Sequence, residues 1–196
     1  MARAISKEWV EAYFEYGVDV ANRRIFFDQD VDATTIGHVI KGIYLMDSKS
    51  KTDDITLMIS SFGGDEYAMF QLYDVLQTIT CDVETVAMGK AMSAAPLLVA
   101  AGTPGKRYAT PNCYFMIHEG WLYGLDGKSL QEAKSTIKHC QDMSNRWCEL
   151  MAKHSKKPKA FWRRLCDRKE DIYFNANIAM EEYGIVDQLW DEREGE

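Results

Sequence analysis

The sequence predicts an α/β fold in which helices pack in layers against a largely parallel sheet. Short apolar runs alternate with longer segments of helical periodicity, and glycines follow two of these runs. Hydrophobic residues make up 46% and charged residues 27% of the 196 residues, which is ordinary globular composition and enough for one core. No internal repeat or low-complexity linker divides the chain, so we expect one domain.

The first elements follow from the apolar runs in the amino-terminal third of the chain. A strand is predicted at 24–27, followed by a helix that runs through Ile43 and Leu45. The charged and polar stretch at 48–54 predicts a loop. A second strand, 55–59, comes directly after it.

The second strand leads through Gly63-Gly64 into another helix. Its apolar residues recur at three-to-four spacing, which is typical of a helix with one buried face. They are Met69, Leu72, Tyr73, Leu76 and Ile79. A third strand, 83–88, is expected to end at Gly89, and an apolar helix to begin near Ser93.

The segment 129–153 is the clearest helix in the sequence. Ser129 and Glu132 have the spacing of a capping box, in which each side chain satisfies a backbone donor at the start of the helix. A mostly apolar stripe and a second, less regular one make both sides partly apolar, so we expect contact with another subunit as well as with the core. The main stripe consists of Leu130, Ala133, Ile137, Cys140, Ser144, Trp147 and Met151.

Charge and cysteine content exclude several classes of protein. The formal net charge of −7 argues against a nucleic acid partner. The five cysteines include no CxxC pair, which favours reduced thiols in a cytoplasmic protein and indicates no zinc cluster. The longest apolar stretch, 91–101, is too short to cross a membrane, and the first 15 residues lack the apolar run of a signal peptide.

Ser93 is the first candidate for chemistry. A serine at the start of a helix lies near free backbone N–H groups and the positive end of the helix dipole. It could equally be a helix N-cap, and the surrounding residues do not form the GxSxG elbow of the α/β-hydrolases. Gly63 and Gly64 could present backbone N–H groups to a substrate, or could only form a turn.

Candidates for a base and its carboxylate lie farther along the chain. His118 is the last residue of a predicted strand, 113–118, where it would emerge into a loop as active-site bases often do. The other three histidines, His38, His139 and His154, are interpreted as surface residues. Asp167 and Asp171 are both candidates for the carboxylate, and Asp171 is favoured because an apolar element follows it.

Five ordered motifs resemble the ClpP peptidase family over residues 23–190. Ser-Phe-Gly-Gly at 61–64 is similar to the family's Ser-Pro-Gly-Gly, and Met-Gly-Lys-Ala-Met-Ser at 88–93 to its Met-Gly-Gln-Ala-Ala-Ser. Ala-Gly-Thr-Pro-Gly-Lys-Arg at 101–107 is similar to its Ala-Gly-x-x-Gly-Lys-Arg. The remaining two motifs are Pro-Asn at 111–112 leading to Met-Ile-His at 116–118, and Glu-Tyr-Gly-Ile-Val-Asp at 182–187.

The resemblance implies a fold of stacked ββα units, as in the crotonases, with one long protruding helix. It makes Ser93 the nucleophile, His118 the general base and Asp171 the third member of a catalytic triad. The backbone N–H groups of Gly64 and Ala94 would form the oxyanion hole. No metal or cofactor is implied.

The resemblance also implies an assembly. Two seven-membered rings would stack into a tetradecamer through the 129–153 helix, with a hexameric AAA+ ATPase feeding unfolded polypeptides into the chamber. On this basis the chain divides into an N-terminal segment 1–22, a single peptidase domain 23–190 and a charged tail 191–196.

The sequence departs from the family pattern at several positions. Phe62 replaces a proline, Ala94 replaces the methionine after the nucleophile, and Ala-Pro at 95–96 replaces a glycine-containing step. Asp171 fits the family's Asp-x-Phe-x-x-Ala pattern with one residue inserted after it. The segment before residue 23 is short and dissimilar, so the ATPase contact is the least supported partner.

Two other functions stay open at this point. A crotonase-type acyl-CoA enzyme would use a carboxylate base, for which Glu66 and Glu119 are the candidates. A non-catalytic ring subunit would keep the architecture without turnover, which the substitutions at Phe62 and Ala94 favour and the retained Ser93 and His118 oppose.

Overall fold

The structure, a computed structural model, describes residues 7–120 and 124–190 and confirms the α/β fold class. The tail expected at 191–196 lies outside the described residues. The helices are α1 Lys7–Tyr16, α2 Ala33–Lys49, α3 Glu66–Thr78, α4 Ala95–Ala100, α5 Leu130–Lys153, α6 Lys159–Cys166 and α7 Ala176–Ile178, which continues as a π-helix at Ala179–Tyr183. The strands are β1 Val18–Asp19, β2 Arg24–Phe27, β3 Ile55–Ser61, β4 Val83–Met92, β5 Arg107–Ala109, β6 Tyr114–Ile117, β7 Ile172–Asn175 and β8 Gln188–Leu189.

The strands form one mostly parallel sheet in the order β1-β2-β3-β4-β5-β8. Strand β6 pairs with the second half of β4, and β7 pairs antiparallel with β6. The core includes buried residues of β2, β3 and β4 and the whole of α4, whose six residues are all buried. Strands β4, β6 and β7 thus form a branch of the sheet. Since β4 and β6 are parallel, their carboxyl ends lie side by side.

Strand β4 is longer than the sequence predicts, and this determines where Ser93 lies. Gly89 does not end the strand: it has a φ of +68° within a bulge, and pairing resumes beyond it. Between Ile59 and Ser61, β3 advances two residues, while β4 advances four, from Ala87 to Ala91. The bulge lets β4 leave β5 and pair with β6.

Helix α5 has two halves with different environments. Its capping box forms as predicted, with Ser129 and Glu132 bonded to each other's backbone N–H groups. The carboxyl-terminal half is buried through Trp147, Cys148, Leu150 and Met151. The amino-terminal half exposes Leu130, at 73%, and Ile137, at 38%. Whether another subunit covers this half stays a prediction.

The interpretation of three histidines as surface residues is correct only for His139. His38 is half-buried, with its ring 5.1 Å from that of Tyr16. His154 is half-buried at the end of α5, with Nε2 2.9 Å from the Tyr73 hydroxyl. Burial, with the nearby charges of Lys153 and Arg107, lowers the pKa of His154 to about 4. The sequence pattern at a helix end does not reveal this packing.

Candidate active site

Ser93 follows β4 directly and is held in a strained backbone conformation. Its φ is +58°, a region that residues other than glycine rarely occupy and that often marks functional positions. Its N–H donates to the carbonyl oxygen of Met116 at 2.8 Å. The N-cap interpretation is wrong, because α4 begins after Ala94 and has no side-chain cap. The Ser93 hydroxyl is therefore directed to another partner.

That partner is His118, which follows β6 as Ser93 follows β4. The two strands are parallel neighbours, with Met92 opposite Met116, so their carboxyl ends present both side chains at the same place. The Ser93 Oγ lies 2.8 Å from the His118 Nε2. The histidine side chain is 15% exposed, which keeps this hydrogen bond largely out of water.

Asp171 lies on the other side of the histidine ring. It precedes β7, and the pairing of Ile117 with Ile172 places it across from His118. Its Oδ1 is 3.8 Å from the His118 Nδ1, which is longer than a hydrogen bond but within ion-pair distance. Its Oδ2 accepts a hydrogen bond from the Tyr173 hydroxyl at 3.3 Å. The carboxylate is 49% exposed.

The alternative carboxylate, Asp167, has a different neighbour. It is the C-cap residue of α6, and its Oδ1 lies 3.6 Å from Arg163 one turn earlier. Its side chain is 61% exposed. The carboxylate that the structure brings to His118 is therefore Asp171.

The residue inserted after Asp171 coincides with the π-helix Ala179–Tyr183. In a π-helix the backbone N–H bonds to the carbonyl five residues back, so the wide turn accommodates one residue more than an α-helix. Gly184 N–H donates to Ala179 O in this way. The π-helix follows β7, all four residues of which pair with β6, and its last two residues, Glu182 and Tyr183, begin the Glu-Tyr-Gly motif. The wide turn provides room for the extra residue at this point.

Gly63 and Gly64 bring a loop against the Ser93 turn. Their φ values are +89° and +147°. A Cβ at Gly63 would lie 2.7 Å from the Ser93 Cβ and 2.8 Å from the Ala94 nitrogen, so a side chain there would displace the backbone around the serine. Both glycines form a turn, as the simpler interpretation holds, but this turn also touches the candidate nucleophile.

The backbone N–H groups of Gly64 and Ala94 are the candidates for binding a substrate oxygen near Ser93. The loop is held by Val31, whose N–H donates to Gly63 O and whose carbonyl accepts from Asp65 N–H. Within residues 7–120 and 124–190, neither the Gly64 nor the Ala94 N–H donates a hydrogen bond. Such a pair of donors next to a hydroxyl and an imidazole is the arrangement that acyl transfer requires.

The carboxylates of the crotonase alternative lie near the same site. Glu66 is half-buried, and burial together with Asp65 raises its pKa, while His139 opposes the shift. Its Oε1 lies 3.2 Å from where a Cβ on Gly120 would be. Glu119 lines an open cleft of about 680 Å³ beside His118 and Asp171. Neither carboxylate forms the hydrogen-bonded nucleophile–base pair that Ser93 and His118 form.

Across the part of the chain that the structure describes, no three His, Cys, Asp or Glu side chains cluster as a metal site would require. Of the helices seen in that part, none combines the length and apolar character needed to span a bilayer.

Comparison with known proteins gives consistent matches over almost the whole chain. The family model described as Clp protease matches residues 8–193. The ATP-dependent Clp protease proteolytic subunit 2 of Corynebacterium jeikeium is 36% identical, over 87% of this chain and 80% of the relative. Subunit 1 of Mycolicibacterium paratuberculosis is 31% identical over 98% and 93%. Subunit 2 of Streptomyces coelicolor is 33% identical over 94% and 83%.

Proposed function

This chain belongs to the Clp protease family, and we propose that it hydrolyses peptide bonds of unfolded polypeptides with Ser93, His118 and Asp171 as its catalytic triad. It is a serine peptidase subunit, and its relatives are proteolytic subunits of ATP-dependent Clp proteases. The 2.8 Å contact between the Ser93 Oγ and the His118 Nε2 carries the assignment of these residues. Neither the acyl-CoA enzyme nor the non-catalytic subunit is favoured.

The first step forms an acyl-enzyme. As the Ser93 Oγ attacks the carbonyl carbon of the substrate, the His118 Nε2 takes its proton. In this proposal the N–H groups of Gly64 and Ala94 donate to the carbonyl oxygen and stabilise its negative charge. The C–N bond then breaks as His118 returns the proton to the leaving amine.

The second step releases the acyl group. Water takes the place of the amine, loses a proton to His118 and attacks the ester carbonyl, and the Ser93 oxygen leaves with that proton. The oxyanion donors act again in the same positions. The enzyme returns to its starting protonation state, and no other group is consumed.

Asp171 orients the imidazole and stabilises its charged form. Its 3.8 Å separation from the His118 Nδ1 must shorten by about 1 Å to make a hydrogen bond. Catalytic hydrogen bonds are often long without substrate and tighten once it binds. The carboxylate is partly exposed, and its other oxygen accepts a hydrogen bond from the Tyr173 hydroxyl.

We further propose two stacked seven-membered rings and a hexameric AAA+ unfoldase as partner. Identities of 31–36% to proteolytic subunits of ATP-dependent Clp proteases support this assembly. The exposed Leu130 and Ile137 on α5 support it as the contact between rings. The cytoplasmic location and the lack of a nucleic acid partner stay predictions.

Hydrolysis of a fluorogenic peptide by the assembled protein tests this function. We expect Ser93→Ala and His118→Ala to lower kcat by at least about 10³-fold, whereas Ser48→Ala, on the exposed surface of α2, leaves it unchanged. Native mass measurement of each variant shows whether assembly is intact. Thermal stabilisation by an acyl-CoA, with no peptide hydrolysis, would instead favour the crotonase-type enzyme.

A further inference from the structure

Two departures from the family pattern contact each other beside Ser93. Phe62 stands where the pattern has proline, and Lys90 where it has glutamine. The Lys90 Nζ lies 4.4 Å from the centroid of the Phe62 ring, a cation–π contact. The ring is nevertheless 65% exposed, so this contact does not bury it in the core.

Both residues are held close to the nucleophile. Phe62 precedes Gly63, whose backbone packs against Ser93 and Ala94. Lys90 precedes Ser93 by three residues along β4, which corresponds to about 10 Å at the rise of an extended strand. A substrate residue two or three positions from the scissile bond would lie at a similar distance from Ser93.

Lys90 lies on the open face of the sheet branch formed by β4, β6 and β7. It is paired with Tyr114, which is 53% exposed, and the next pair on the same face is Met92 with Met116. The opposite face is buried through Ala91, Phe115 and Phe174. The ammonium group lies over the Phe62 ring. Tyr114, the pairing partner of Lys90, is on the same face, which ends at Ser93.

Lys90 differs from Lys106 in its electrostatic environment. Lys106 binds Asp54 at 2.6 Å and Asp82 at 2.8 Å. Over the residues that the structure describes, Lys90 forms no ion pair with a carboxylate. An ammonium group on a partly apolar face, with its charge uncompensated by a side chain, attracts an anion.

We propose that Phe62, Lys90 and Tyr114 form an acidic-residue subsite, which binds the carboxylate of a glutamate or aspartate side chain two or three residues from the scissile bond. The rings pack against the aliphatic stem of the substrate side chain, and the ammonium group pairs with its carboxylate. The inference rests on the proposed peptidase function and specifies which polypeptides are cleaved fastest.

A set of paired fluorogenic peptides tests the subsite in the assembled protein. Each pair shares one scissile bond and differs only by Glu or Gln at a single position, from three residues before to three residues after that bond. At one position we expect kcat/KM to favour Glu by about two- to fivefold at low salt, with the ratio falling towards 1 as added salt screens the charges.

Variants then assign the preference to Lys90. We expect Lys90→Gln to bring the Glu/Gln ratio to about 1, Lys90→Glu to reverse it, and Lys90→Arg to retain it, because charge is the deciding property. Lys41→Gln, an exposed lysine of α2, is the matched control and leaves the ratio unchanged. A lysine with only a structural role would change rates without changing this ratio.

The outcomes separate this inference from the proposed function. If the wild-type protein cleaves the Gln peptides but shows no salt-sensitive preference for Glu at any position, the subsite is wrong and the peptidase assignment stands. If Lys90→Gln changes the assembled mass but not the ratio, the face is a contact between subunits and the subsite is again wrong. If neither peptide of any pair is cleaved, the proposed function itself fails.

Discussion

The turn at Gly63 should control the position of the nucleophile, and Gly63→Ala tests this. A Cβ at this position would lie 2.5 Å from Met92 O, 2.7 Å from Ser93 Cβ and 2.8 Å from Ala94 N. Since carbon atoms normally pack at about 3.5–4.0 Å, the serine turn must retreat by about 1 Å. A misplacement of that size costs on the order of 10²-fold in rate.

The chain provides a matched control in Gly105. Its φ of +87° is close to the +89° of Gly63, but nothing lies within 4 Å of a Cβ built on it. Both alanine variants carry the left-handed backbone cost of about 1–2 kcal/mol, which lowers the thermal midpoint by roughly 2–8 °C for a domain of this size. Only Gly63→Ala adds the contact with residues 92–94.

The assay is peptide hydrolysis under saturating substrate, with the assembled mass and thermal midpoint of each variant measured in parallel. We expect kcat to fall about 10²-fold in Gly63→Ala and to change less than about twofold in Gly105→Ala. If the two variants have the same kcat in intact assemblies, the close approach of Gly63 to Ser93 does not position the nucleophile.

Three further predictions concern the carboxylates, a partly buried ion pair and pH. Asp171→Asn should lower kcat by about 10³-fold or more, whereas Asp167→Asn should change it less than about twofold; equal losses in steady-state assays would refute the choice of Asp171. Arg107→Met removes the guanidinium that pairs with Asp187 and leaves that carboxylate only the backbone N–H groups of Gly105 and residue 107. Urea unfolding should therefore show a loss of up to about 3 kcal/mol; an unchanged midpoint would contradict this role. Because the pKa of His154 is lowered to about 4, below the unfolded value of about 6.5, the unfolded chain binds the proton more tightly. The free energy of unfolding should therefore fall as pH drops from about 6.5 towards 4. His154→Gln should flatten that slope in urea titrations, and an identical slope would exclude the histidine as its source.

Local patterns in the sequence predict much of the fold. The capping box at Ser129 and the apolar periodicity after it predict α5 almost to the residue, because both signals are contained within one helix. The strands at Arg24–Phe27 and Ile55–Ser61 follow from apolar runs. These elements need no knowledge of distant neighbours.

The parts that were missed depend on contacts between distant segments. Gly89 suggests the end of a strand, but β4 continues because β6 supplies new pairing beyond the bulge. The pairing of β6 with β7 also brings Asp171, the carboxylate that the sequence favours, to 3.8 Å from His118. Neither pairing can be deduced from local periodicity.

The π-helix shows how a sequence irregularity is resolved in the structure. One extra residue after Asp171 could have shifted β7 or the Glu-Tyr-Gly motif, and the sequence does not say which. A wide turn at Ala179–Tyr183 accommodates it instead. The Phe62–Lys90 contact is a second example. The sequence shows two separate substitutions, and only the structure shows that their side chains are in contact.

The most direct test of the account is the reaction of the assembled protein with a fluorophosphonate, followed by intact mass measurement and peptide mapping. We predict one adduct per chain, on Ser93, with peptide hydrolysis lost in proportion to labelling. Ser93→Ala should assemble normally and remain unlabelled. An adduct on another residue, or labelling that persists in Ser93→Ala, would contradict the assignment of the nucleophile.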